Sequence, residues 1–131
     1  MRKNLLIVTA LFESATGIGL IFMPAFLVKL LLGVTIDTSG ALVLAHVAGA
    51  ALLTLGIACW LARNDGKVRA IITALLFYNL AVAGVLMHAN LSLGVYGIGL
   101  WPAAGAHIVM ALWCIACLRA QYDKMQNGTN T

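Results

Sequence analysis

Four long apolar stretches, separated by short polar segments, dominate the pattern of hydrophobic and polar positions along the chain. A helix needs about 20 mostly apolar residues to cross about 30 Å of hydrocarbon. Each stretch is long enough for that and carries few charged side chains: residues 5–23, 41–62, 68–89 and 98–118. The pattern therefore predicts an all-α fold, a four-helix transmembrane bundle with short loops.

A shorter apolar segment follows the first stretch, between Pro24 and Gly33. Residues 25–32 are apolar except for Lys29, and they are too few to cross a bilayer. We expect an interfacial helical segment here, with Lys29 reaching outward to the headgroups. At the start of the second span, Ser39 is the expected N-cap.

The composition agrees with this architecture. Of 131 residues, 63% are hydrophobic and 9% are charged, with a mean hydropathy of +1.01, whereas soluble domains carry about 25% charged residues. Four spans and their loops use residues 1–120, so we expect a single transmembrane domain. The polar residues 121–131 are expected to form a cytoplasmic tail that is frayed or disordered.

The basic residues predict the orientation. If four spans alternate in direction, only Lys29 of the eight Lys and Arg residues lies on one side, and the others share the opposite side: Arg2, Lys3, Arg63, Lys67, Arg69, Arg119 and Lys124. This positive-inside bias predicts that both termini lie in the cytoplasm. The net charge of +4 sits at span ends, without a basic stripe interleaved with aromatics, so we exclude nucleic acid and expect contacts with the lipid bilayer.

Several polar residues lie inside the predicted spans. Glu13 lies near the middle of the first span, where an ionisable side chain costs about 2.5–3.5 kcal/mol and normally faces the bundle interior. Tyr78 and Asn79 lie at a similar depth in the third span, and His46 and His107 lie in the outer halves of the second and fourth. By depth alone, Glu13, Asn79, His46 and His107 are expected to meet in one buried polar pocket that opens toward the outer leaflet. Tyr78, at a similar depth, is a further candidate for ligand binding or proton relay.

Three interpretations of this pocket remain open. The side chains hydrogen-bond one another and fix the helix packing; or Glu13 and His107 bind the polar head of a small ligand or relay a proton; or His46 and His107 ligate a haem. We expect a non-enzymatic accessory or ligand-binding membrane component without a cofactor or metal. The alternative is a small transporter or proton-coupled carrier with Glu13 as the titrating group.

Small residues at helical spacing predict close helix packing and a partner. Ala45, Gly49 and Gly56 recur on nearby faces of the second span. Small residues let helix backbones approach one another in lipid, where no water drives association. Either a homodimer or a partner membrane subunit is therefore expected. A small apolar ligand is a further candidate partner because of the polar pocket.

The three cysteines, Cys59, Cys114 and Cys117, lie in the cytoplasmic thirds of their spans. A buried thiol on the reducing side of a membrane is inert. We therefore interpret all three as packing residues. No phosphate-binding loop, dinucleotide fingerprint or catalytic triad order occurs in the sequence.

The chain also resembles a family of small four-span bacterial inner-membrane proteins. The matching features cover most of its length: Glu13 before Thr16-Gly17, Pro24 before Leu30-Leu31-Leu32-Gly33, Ala48-Gly49-Ala50 with Leu55-Gly56, Tyr78-Asn79, and Leu100-Trp101-Pro102 before His107. The resemblance implies the four-span architecture and a bacterial setting. No activity comes with it.

Overall fold

The computed structural model describes residues 1–66 and 68–128, and all regular elements in that part of the chain are helices. They are α1 (Arg2–Phe22), α2 (Pro24–Leu32), α3 (Ser39–Ala62), α4 (Arg69–Leu93) and α5 (Leu100–Gly128). All except α2 are long and apolar enough to cross a membrane. The predicted all-α bundle with four such helices and a short helix after the first is confirmed. Lys67 and residues 129–131, parts of a predicted turn and of the predicted tail, lie outside the described residues.

The break between α1 and α2 is a single residue wide. Pro24 has no amide hydrogen and occupies the first turn of α2, the position where a helix tolerates proline best. The Met23 amide still donates to the Gly19 carbonyl at 2.7 Å, and the Leu27 amide donates to the Met23 carbonyl at 3.1 Å. The chain therefore changes direction with little loss of backbone hydrogen bonding, and α2 ends at Gly33 in a left-handed conformation (φ 72°).

The N-cap of α3 is Thr38, so the prediction of Ser39 was wrong. Thr38 is extended, and its hydroxyl accepts a hydrogen bond from the Ala41 amide at 3.1 Å. A capping residue must itself be non-helical, and Ser39 is already the first helical residue.

Helices α4 and α5 are longer than the apolar stretches that predicted them. Helix α4 continues to Leu93, and Gly94 ends it with a φ of 65°. Helix α5 continues through residues 121–128, which the sequence analysis assigned to the tail.

The helices pack as two pairs, α1 with α3 and α4 with α5. The first pair is close because glycines meet in it. A Cβ on Gly17 would lie 2.6 Å from the Leu53 amide nitrogen, one on Gly49 would lie 2.9 Å from the Gly17 carbonyl oxygen, and one on Gly56 would overlap the side chain of Ser14. The glycines predicted to form a packing face therefore face α1 of the same chain.

The two pairs meet in an apolar cluster at one end of the bundle. This end carries Arg2 and Arg69, and the Arg2 guanidinium donates to the Gly66 carbonyl at 3.4 Å; we call it the basic end. The four long helices and Val68 contribute buried residues to the cluster: Leu5, Leu6, Ala10, Cys59, Val68, Ile72, Leu75, Cys114 and Cys117. The three cysteines are free thiols within it or on its edge, as packing residues would be.

At the opposite end, which we call the far end, α2 and the segment 94–99 connect the two pairs. The Gly99 amide donates to the Leu30 carbonyl at 2.8 Å. A Cβ on Gly97 would overlap the Leu31 carbonyl. Close backbone contact therefore fixes α2 against the segment that joins α4 to α5.

Candidate functional site

A cavity of about 780 Å³ lies between the two helix pairs, toward the far end. All five helices and Gly99 contribute to its walls. The larger apolar lining residues are Phe12, Leu20, Leu27, Leu31, Leu52, Val82 and Leu86. The polar lining side chains in the described part of the chain are Glu13, Thr16, Tyr78 and His107, and no Lys or Arg is among them.

Glu13 projects from α1 into the interior and is 1% exposed. Its Oε2 accepts a hydrogen bond from the Tyr78 hydroxyl at 2.9 Å. Its Oε1 is buried and has no hydrogen-bond partner among the described residues. Thr9 and Gly17, one turn away on either side, are also buried, because residues four apart share a helix face. Glu13 therefore lies on the inward face of α1, with one oxygen left unbonded.

Asn79 and His107 form a second buried polar pair. The Asn79 Nδ2 donates to the Leu75 carbonyl at 2.7 Å, and its Oδ1 lies 2.8 Å from the His107 Nδ1. Because a carbonyl only accepts, the Asn79 amide nitrogen must face Leu75, and its oxygen must face the ring. Nδ1 of His107 is therefore the donor, and Nε2 is the ring nitrogen left as an acceptor in the neutral imidazole.

Aromatic contacts join these two groups into one cluster. The rings of Phe12 and Tyr78 each meet the His107 ring edge to face, with centroids 5.7 Å apart in both pairs. Tyr78 thus contacts Glu13 through its hydroxyl and His107 through its ring. The structure brings together Glu13, Tyr78, Asn79 and His107 from three helices; we call these four residues the polar cluster.

His46 does not join the polar cluster. Its side chain is exposed and does not line the cavity. The reason is its position on α3: Ala45 and Gly49 are buried, and each step along a helix rotates the side chain by about 100°. The structure therefore does not bring the two imidazoles of the haem hypothesis face to face. The residues that it describes contain no group of three or more His, Cys, Asp or Glu that could hold a metal ion.

Phe12, Leu27 and Leu31 were not among the predicted site residues. Phe12 adjoins Glu13 and lines the same cavity, but nothing in an apolar span distinguishes it from its neighbours. Leu27 and Leu31 are four apart on α2, and both line the far wall. Their spacing puts them on one face of α2, and this is the signal from which an inward face could have been predicted.

A smaller cavity of about 520 Å³ lies at the basic end, beside Arg2, Arg69 and Gln121. Both guanidinium groups belong to exposed residues. The contact of these basic residues with lipid headgroups stays a prediction.

Comparisons of the chain with protein-family models, with curated proteins and with solved structures find no match. The site therefore takes no residue roles from a relative. Its chemistry follows from the cluster itself, in which one carboxyl, one phenol and one imidazole lie at the wall of an apolar cavity.

Proposed function

We propose that this chain is a multi-pass membrane protein that binds a small amphiphilic molecule between its two helix pairs, as a ligand-binding or accessory component. One observation carries the proposal: the buried Glu13, with an unbonded oxygen, lies at the wall of an apolar cavity of about 780 Å³. Small-molecule sites are typically cavities of about 300–1,000 Å³, lined by apolar side chains with a few polar groups that orient the ligand. In this site the apolar walls would hold the body of the ligand and the polar cluster its head.

The outer surface supports placement in a membrane. Large apolar side chains face outward on all four long helices: Leu11 is 63%, Leu44 70%, Phe77 69% and Leu112 60% exposed. In water such faces would associate, whereas acyl chains solvate them. The basic end would face the cytoplasm of a bacterial inner membrane by the positive-inside rule, and α2 would lie at the opposite interface.

A proton-coupled carrier is the second candidate. An ionisable carboxyl within an apolar bundle is the kind of group that proton-linked transporters use, and Glu13 contacts a tyrosine that also touches an imidazole. Binding ranks first because the apolar cluster occupies the basic end of the cleft, and transport needs a path past it.

The test uses two matched alanines of α3. Ala50 and Ala51 are both exposed, but only Ala51 lines the cavity. The protein in lipid nanodiscs is photolabelled with octanol that carries a diazirine, and the labelled peptides are identified by mass spectrometry. We expect labelling of the cavity walls that falls at least about tenfold in Ala51→Phe, since the ring fills the binding space, and that persists in Ala50→Phe.

Two results would count against the proposal. If labelling is spread over the lipid-facing surface with no concentration at the cavity, there is no such site. If both phenylalanine variants label like the wild type, the molecule binds elsewhere.

A further inference from the structure

Glu13 lies in the cavity wall with its hydrogen bonding incomplete. A carboxyl group offers two oxygens, each able to accept, and Tyr78 bonds to one of them. The other oxygen is buried and unbonded. By contrast, both ends of the Asn79 side chain are bonded. A donor on the ligand would therefore be directed to Oε1 of Glu13.

The protein supplies no positive charge to this carboxyl from the cavity walls. No Lys or Arg lines the cavity in the described part of the chain. A buried carboxylate without a cation is costly, and a cation offsets that cost where it pairs closely with the carboxylate and donates a hydrogen bond to it. The complementary ligand therefore brings a charge as well as a donor.

His107 is the internal group that comes nearest to filling this role. Its Nδ1 hydrogen, however, is directed to Asn79, and Asn79 is in turn held by the Leu75 carbonyl. Tyr78 contacts both the imidazole and Glu13. The Nδ1 hydrogen of the ring is thus given to a different partner, and Oε1 of the carboxyl remains buried without a donor among the described residues.

The aromatic residues beside the carboxyl suit a cation. Phe12 and Tyr78 both line the cavity and both contact the His107 ring. The face of an aromatic ring attracts an ammonium group within about 6 Å of its centre. The remaining walls are aliphatic and match an apolar body.

From these observations we infer that the cavity takes a lipophilic amine: a protonated ammonium group that donates to Oε1 of Glu13, on an apolar body that lies against the leucines of α1, α2 and α3. This inference rests on the proposed function, because it names the ligand class for the same cavity.

The test is competition against the photoreactive octanol described above, with octylamine and octanol as competitors of equal chain length. For each protein, the amine preference is the strength of competition by octylamine relative to that by octanol. The quantity compared is the amine preference of the wild type divided by that of Glu13→Gln. Dividing one preference by the other removes the different partitioning of the two competitors into lipid. His46→Ala, whose side chain is exposed outside the cavity, is the control variant.

We expect the amine preference to be at least about tenfold greater in the wild type than in Glu13→Gln, because a charge-assisted hydrogen bond is lost with the carboxylate. His46→Ala should keep the wild-type preference. An amine preference that is equal in the wild type and in Glu13→Gln overturns the amine inference, while photolabelling of the cavity by the neutral probe leaves the binding proposal standing. Absence of cavity labelling in the wild type overturns both.

A second comparison needs only the wild-type protein, should Glu13→Gln fail to fold. Octyltrimethylammonium carries the same charge as octylamine but has no N–H group to donate. We expect octylamine to compete better, since Oε1 of Glu13 lacks a donor. Equal competition by the two cations would show that no hydrogen bond to this oxygen is made, and would refute the inference in this form.

Discussion

Replacing Gly17 by alanine tests the close packing of α1 on α3. The added Cβ would lie 2.6 Å from the Leu53 amide nitrogen and 2.7 Å from the Gly49 carbonyl oxygen. Both are backbone atoms of α3, so no side-chain rotation relieves the overlap. Ordinary contact begins at 3.4 Å, and the two helices must therefore move apart locally by about 0.8 Å, which loosens neighbouring contacts as well.

The size of the effect follows from two opposing contributions. Overpacking of this kind costs about 1–3 kcal/mol, whereas alanine is favoured over glycine within a helix by up to about 1 kcal/mol. Gly84 of α4 provides the control, because a Cβ there has nothing within 4 Å. The helix-propensity contribution is the same in both variants, so Gly17→Ala should be less stable than Gly84→Ala by about 1–3 kcal/mol.

The measurement is the free energy of unfolding of the detergent-solubilised protein, titrated with SDS and followed by far-ultraviolet circular dichroism. Wild type, Gly17→Ala and Gly84→Ala are compared under the same conditions. If the free energies of unfolding of Gly17→Ala and Gly84→Ala agree within about 0.5 kcal/mol, α1 and α3 are not in backbone contact at Gly17. The description of the first helix pair would then be wrong.

Two further changes test the far end and the polar cluster. Gly97→Ala should separate the segment 94–99 from the Leu31 carbonyl, so amide hydrogen exchange in α2 should become faster. Gly40→Ala, where a Cβ has open space, should leave the exchange in α2 unchanged. Unchanged exchange in both variants would contradict the close contact. Tyr78→Phe removes the hydrogen-bond donor to the buried carboxyl of α1 and should lower the free energy of unfolding by about 1–3 kcal/mol. Tyr96→Phe, at an exposed residue, should have little effect. Equal losses in the two variants would refute the hydrogen bond between Tyr78 and Glu13.

The number and order of the helices could be predicted because each long helix has an apolar run that only a membrane-length helix explains. The helix ends were harder to predict. The predicted third span ended at residue 89, yet Asn90 lies in the last turn of α4, where its side-chain amide donates to the Val95 carbonyl at 3.0 Å. An asparagine can end a helix or can stabilise the last turn through its side chain, and the sequence does not distinguish these two roles.

For the site, depth along each span was predictable and rotation was not. Depth placed Glu13, Tyr78, Asn79 and His107 at one level, and the structure brings these four together. It placed His46 there as well, but the buried face of α3 passes through Ala45 and Gly49, which leaves His46 outside. Rotation depends on which helices pair. The small residues of α3 indicated its packing face, but they did not indicate that α1 of the same chain packs against it.

The division into two tightly packed pairs has a mechanical consequence. Contacts within each pair are extensive, and the pairs share the cluster around Leu5 and Ile72 at the basic end. A small rotation of one pair about that cluster would widen or narrow the cleft without breaking a backbone contact inside either pair. The α2 segment, bonded to Gly99, would resist such a rotation. A ligand larger than the cavity would therefore be accommodated by rigid-body tilting of one pair, at the expense of the Gly99–Leu30 hydrogen bond and of the close contact between residues 31 and 97.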